Sequence, residues 1–231
     1  MEETIMYNPE PHKQGYIITL FVDNQDSWIT PWAQALKKDL ARYHTIRLCH
    51  KKNEILKGDF NFLLGCTAIL EKHFLELNSH NLVIHESDLP KGKGWSPVSW
   101  QVLEGANEIP VTMFEATEQL DAGAVYLKDK IILEGHELHP RIKEKQGEKT
   151  LDMIYRFLSL WPDLAPVPQA GEESIYDRRT IDDDMLDINK TIAEQFNNLR
   201  IADNTNHPAW FKIYGKKYRL EIYPYSKKES E

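Results

Sequence analysis

His85 and Asp121 are the two side chains of this chain best suited, by type and setting, to move a proton. His85 ends the apolar run Leu82-Val83-Ile84 and opens a loop rich in turn residues: Ser87, Asp88, Pro90, Gly92, Gly94 and Pro97. Asp121 follows 36 residues later, in an Asp-Ala-Gly turn beyond a second apolar run, Ile109 to Phe114. An imidazole with a reference pKa of about 6.5 can give or take a proton near neutrality. A carboxylate beside it favours the imidazolium. A strand-end His and a loop Asp, joined by one strand-loop-helix-strand unit, are the parts needed for proton transfer in a cleft. Each also has an ordinary reading, a structural histidine and a plain turn.

Other chemistry-bearing residues are weaker. Lys91-Gly92-Lys93-Gly94-Trp95 could hold a phosphate with its lysines and freed N–H groups, or be a solvated turn. Trp100 reads as core. Gly135-His136-Glu137-Leu138-His139 is not the H-E-x-x-H zinc pattern, and Gly135 and Pro140 place it in a loop, so no metal is expected. Asp182-Asp183-Asp184 reads as a solvated, helix-capping run. Arg178 and Arg179 suit either an anion or a structural pairing. No G-x-G-x-x-G follows the first strand, where the chain reads Val22-Asp23-Asn24-Gln25-Asp26, and no P-loop is present.

These residues need a scaffold. Tyr16 to Val22 is a buried-strand run. A helix follows over 31–43, then short strands at His44–Leu48 and Phe60–Leu64, a helix over 68–77, and the strand that delivers His85. Strand-helix alternation predicts an α/β fold with an open, mostly parallel, Rossmann-like sheet, in which ligands bind beyond the carboxyl ends of strands. After Asp121 two strands are expected, Ala124–Leu127 and Ile131–Leu133, then an amphipathic helix over 149–160. Pro162, Pro166 and Pro168 mark a linker. A helix over 189–200 and a hairpin flanking Gly215-Lys216-Lys217 complete a small C-terminal portion. The expected domains are 1–160, a linker 161–175, a C-terminal subdomain 176–225 and a tail 226–231, with a loose arm over 1–14.

At 231 residues the chain suits one domain plus a small appendage. Its 41% apolar content is ordinary for a globular core. A net charge of −8 argues against a general nucleic-acid surface, which needs a basic face. Cys49 and Cys66 lie in or beside apolar runs and read as buried thiols of a reducing compartment. No apolar run reaches the ~18 residues of a membrane span, and the first residues are no signal peptide, so a cytoplasmic protein is expected.

His85-Glu86-Ser87-Asp88-Leu89-Pro90 and Leu120-Asp121-Ala122-Gly123 together resemble the folate-dependent formyltransferase superfamily. That group includes methionyl-tRNA, glycinamide ribonucleotide and sugar N-formyltransferases. The resemblance runs over 81–127, extends back to 14 and thins beyond 172. Tyr176 through Asp187 is similar to the sugar enzymes. The resemblance implies 10-formyltetrahydrofolate as donor and the amine of a nucleotide-linked amino sugar as acceptor. It gives His85 and Asp121 catalytic roles, with Ser87 a candidate donor to the formyl oxygen. It places the pterin near Cys66, Thr67, Ile69, Thr117, Glu118 and Leu120. Lys91, Lys93, Gly94 and Trp95 are the candidate contacts to the acceptor. The apolar hairpin 209–222 would suit a homodimer contact, an oligomeric state that the sequence leaves open.

One position departs from the family pattern. An Asn is expected two residues before the His, and Val83 stands there. Asn81 cannot substitute, because four residues of strand separate it from His85 by about 13 Å. Losing such an oxyanion donor typically costs about 100- to 1,000-fold in rate. Transfer to methionyl-tRNA and a non-catalytic folate- or sugar-nucleotide-binding member are the rival readings.

Overall fold

The computed structural model describes residues 9, 10, 13 and 15–225. The expected arm therefore falls mostly, and the expected tail wholly, outside the described residues. Ile17–Phe21 (β1), Thr45–Cys49 (β2), Gly58–Leu63 (β3) and Asn78–His85 (β4) form the parallel part of one sheet. Glu108–Glu115 (β6) and Val125–Ile132 (β7) extend it antiparallel, giving the order β2-β1-β3-β4-β6-β7. The expected open, mostly parallel α/β sheet is the architecture found.

The central strands are hydrophobic on both faces because both are covered. Ile18, Leu20, Phe60, Phe62 and Leu82 are buried among the residues of helices Thr30–Leu40 (α1) and His139–Leu160 (α4). On the other side Phe21, Leu63, Cys49, Ile55 and Leu70 form a smaller cluster, against which Val83 packs. Both cysteines are free thiols; Cys49 is buried, whereas Cys66, expected buried, is half-buried.

Helix α4 starts ten residues earlier than the sequence suggested. Pro140 occupies its first turn, where proline costs no hydrogen bond. Gly147 lies against Trp32 of α1: an added Cβ would come within 2.3 Å of that indole ring. Pro140 reads as a breaker in sequence and is tolerated here because of its first-turn position. His139 thus begins a helix and is not in a loop.

Three further expectations are corrected. The segment 125–132 is one strand, not two; Lys128 and Lys130 are exposed residues of an edge strand rather than a break. The 68–77 helix shrinks to Lys72–Leu75 (α2), because 66–69 is held as a loop instead. Asp23 accepts the Thr67 and Ala68 N–H groups at 2.7 and 2.9 Å, and Lys52 Nζ donates to Ile69 O. The expected 189–200 helix narrows to a 3-10 turn at Ala193–Gln195 and Phe196–Arg200 (α5).

Pro97–Leu103 (α3) follows a two-residue strand, Lys93–Gly94 (β5), which pairs with Ile175–Tyr176 (β8). Ala209–Ile213 (β9) and Lys216–Leu220 (β10) form the expected hairpin. Leu186, Leu199, Ala202 and Ala209 make a separate small cluster there. The acidic run is not simply solvated. Asp183 caps Thr180, but Asp184 is buried and paired with Arg179. Trp100 is half-buried and stacks on Tyr176 rather than entering the core.

Candidate active site

β4 ends at His85 and the chain turns at once, with Ser87 N–H donating to His85 O at 2.9 Å. The loop then folds back so that Gly92 O lies 2.9 Å from His85 Nε2. A carbonyl can only accept, which assigns the proton to Nε2. Asp121 Oδ2 lies 3.9 Å from the same nitrogen and accepts the Gly94 N–H at 2.9 Å. One loop therefore touches both residues. Asp121 sits in the left-handed region, φ 45°, a conformation Asp tolerates better than most residues. Two residues on, Gly123 packs against β6 so closely that an added Cβ would lie 1.6 Å from Glu115 O.

The pair opens on a cavity of about 270 Å³. His85 and Asp121 share it with Val83, Phe114 and Leu64 at the strand ends. Cys66, Thr67, Ile69, Thr117 and Leu120 line one side of it, as do Gly94 and Trp95 of the loop. Burial, reinforced by Asp23, pushes the Cys66 thiol up to about 12, so it stays protonated; it donates to Phe21 O. Cys66 is thus a wall rather than a nucleophile. Among the described residues no cluster of His, Cys, Asp or Glu could hold a metal ion.

Four residues singled out in sequence lie elsewhere. Ser87 is buried beneath the loop and does not line the cavity; its carbonyl accepts the Thr112 hydroxyl, and its Cβ lies against Gly92. Lys91 is exposed and away from the cavity. Lys93 is buried and paired with Glu173. Glu118 accepts the Lys72 N–H outside the cavity wall. Asn81 is also engaged, accepting from Asn61 and donating to Leu75 O.

Sequence reasoning missed the opposite wall. Lys143, Gln146 and Thr150 of α4 line the cavity with Trp28 and Glu86. Lys143 Nζ sits 4.3 Å above the Trp28 ring and donates to Gln146 Oε1 at 2.9 Å. Gln146 Nε2 in turn donates to Glu86 Oε1 at 2.6 Å. The signal was a polar stripe at i, i+3 and i+7, legible only once α4 is known to start at His139.

The C-terminal segment supports the loop. Lys93 N–H donates to Ser174 O and Trp95 N–H to Tyr176 O, while Ser174 Oγ accepts the Gly92 N–H. Arg178 lies over the Trp95 ring, 5.0 Å from its centroid. Residues beyond 172 thereby brace the loop that contacts His85 and Asp121.

Residues 35–155 match the family model described as formyl transferase. The methionyl-tRNA formyltransferase of Thermodesulfovibrio yellowstonii is 27% identical over 153 residues, covering 65% of this chain and 50% of that protein. The chain thus spans about half the length of that curated relative. The solved methionyl-tRNA formyltransferase from Clostridium thermocellum superposes with a TM-score of 0.77 at 18% identity, covering 91% of this chain and 93% of that one. A sugar N-formyltransferase from Shewanella sp. superposes with a TM-score of 0.69 at 13% identity, covering 92% and 99%. At these identities the structural likeness is one of fold.

Proposed function

The chain belongs to the formyl transferase family, and from that premise we propose that it moves a formyl group from 10-formyltetrahydrofolate to the amine of a nucleotide-linked amino sugar. The observation that carries this reading is the pairing of buried His85 with half-buried Asp121, 3.9 Å apart, at the strand-end cavity. The family's folate dependence supports the donor. The pterin lies against Cys66, Thr67, Ile69, Thr117 and Leu120. The acceptor enters on the side of Trp95 and α4.

The amine nitrogen attacks the formyl carbon, and a C–N bond forms as the carbonyl oxygen becomes an oxyanion. His85 Nε2–H, released from Gly92 O, donates to that oxygen as its charge develops. Asp121 takes the amine proton, directly or through water. Breaking the bond to the folate nitrogen would complete the transfer, with Asp121 passing on to that nitrogen the proton it took from the amine. No covalent enzyme intermediate is needed.

The sugar acceptor is supported by the similarity of 176–187 to sugar enzymes and by the acidic balance, −8. A second reading, transfer to methionyl-tRNA, is favoured by the name of the curated relative. Val83 favours a third, a folate-binding member without turnover. A single experiment separates them: incubate the protein with 10-formyltetrahydrofolate and a panel of amino-sugar nucleotides or charged methionyl-tRNA. A formyl mass gain on a sugar nucleotide is expected. Gain only on the tRNA rejects the sugar reading, and folate binding with no transfer rejects catalysis.

A further inference from the structure

Lys143 is the one lysine or arginine among the described residues that lines the cavity. Its ammonium is held at two points, by the Trp28 ring at 4.3 Å and by Gln146 Oε1 at 2.9 Å. Neither partner carries a full negative charge, and Lys143 makes no ion pair among the described residues. Glu86, the nearest acid on that wall, is already engaged by Gln146 Nε2. A half-buried cation held by neutral groups is costly unless a charge meets it. Burial accordingly draws Lys143 down to about 8.

The position also matters. Glu86 directly follows His85 in the chain, and two hydrogen bonds, through Gln146, connect it to the ammonium. The cation and the His85–Asp121 pair therefore face one cavity of about 270 Å³. A molecule that reaches both carries its negative group close to its reacting amine.

We propose that Lys143 is the specificity residue of the acceptor site and receives an anionic group, a phosphate or a carboxylate, of the molecule to be formylated. The proposal rests on the formyl-transfer reading above, because it takes the Trp28–Lys143 wall as the acceptor side. Trp28 and Gln146 orient the ammonium toward the cavity; Ser96 and Ser99, which also line it, offer hydroxyls to the remaining anion oxygens. The charged and titratable groups around Lys143 are Glu86, Asp203, Arg179 and, on its own helix, His139.

The test reads binding without any formyl donor, so its failure leaves formyl transfer itself untouched, and a failure of transfer leaves it readable. Calorimetry is run with glucosamine, glucosamine 6-phosphate, 2-amino-2-deoxygalacturonate and uridine diphosphate, on the wild type, K143M, K143Q and K143R. The wild type should bind at least one acidic probe about 10-fold or more tightly than glucosamine, as a charge-assisted contact predicts. K143M and K143Q should lose that preference, and K143R should keep most of it. The preferred acidic probe tells a sugar phosphate from a carboxylate or a nucleotide diphosphate. The preference should also fall as pH rises through about 8, where the free ammonium deprotonates, and K143M should show no such fall. Equal binding of glucosamine and every acidic probe by the wild type, or a preference that survives in K143M and K143Q, overturns the proposal.

Discussion

Gly94 donates its backbone N–H to Asp121 Oδ2 over 2.9 Å, so the loop launched by His85 also orients the acid that faces it. The carbonyl of Gly92, two residues earlier, accepts the hydrogen bond from His85 Nε2–H. Two side chains far apart in sequence are thus set by one short backbone segment. That segment is itself braced by Ser174 and Tyr176. Orientation here comes from main-chain groups, which costs little side-chain entropy and leaves the acid and the imidazole free to exchange protons with a ligand.

His85→Ala should lower turnover by about 100-fold or more, the usual worth of a positioned proton donor. Asp121→Asn keeps an oxygen for the Gly94 N–H but cannot take a proton, so it should lose turnover on a similar scale with little change in melting temperature. Steady-state rates and thermal melts of both variants check this. A near-wild-type rate in His85→Ala would falsify its catalytic role.

Gly123→Ala should be severely destabilising. The added Cβ has no room, since it would lie 1.6 Å from Glu115 O of β6, a main-chain atom that cannot rotate away. Relief needs the 121–123 turn to leave the sheet edge, taking Asp121 with it. A loss of about 3 kcal/mol or more in urea unfolding is expected, in the class of rare, large single-site effects. A variant with wild-type stability and activity would show that the turn is not fixed by this contact.

Much of this site was legible beforehand, and the parts that were not have physical causes. His85 and Asp121 stood out because turn residues and apolar runs bracket them. Strands β1 and β3 could be read because burial on both faces makes them continuous apolar runs. Ser87, Lys91 and Lys93 look like site residues in sequence. Which way a loop side chain points depends on tertiary pairing, though, and for Lys93 that partner is Glu173, 80 residues away in sequence. Lys143 was invisible because Pro140 disguised the start of α4. Its tolerance depends on a first-turn position, which local propensity does not record.

Stability should fall on mild acidification. His44 is buried against Tyr16, and burial depresses its pKa to about 4. The unfolded chain takes up that proton at about 6.5, so the folded state is favoured fully above 6.5 and loses ground as pH falls toward 4. His139 is depressed to about 4 by burial, with Lys143 adding to it, and acts in the same direction. Glu137, held down to about 2 by backbone N–H groups of Glu134 and Gly135 against the opposing effect of burial, loses its contribution only at lower pH. Urea unfolding between pH 7 and 4.5 should therefore show stability dropping by roughly 1 kcal/mol per pH unit from His44 alone. His44→Phe should flatten that slope; an unchanged slope would assign the acid sensitivity to other groups.

Val83→Asn asks what the departure from the family pattern does. Val83 and His85 are two apart on β4 and both line the cavity. Val83 pairs in register with Leu63 on one side and Phe114 on the other, and packs against the cluster of Phe21, Leu63 and Leu70. An amide here either reaches the cavity and meets the formyl oxygen, or is trapped among those side chains without partners. In the first case the new donor should raise turnover, by up to about 100-fold if it recovers a full oxyanion contact. In the second, an unpaired amide should cost about 1–3 kcal/mol of stability with no gain in rate. Val83 is only half-buried and its side chain borders open space, so the first outcome is expected. Turnover and melting temperature of the same variant decide between them. A destabilised protein with no faster transfer would mean that Val83 belongs to an apolar pocket that replaced the amide, and that this cavity holds the acceptor by shape at that point.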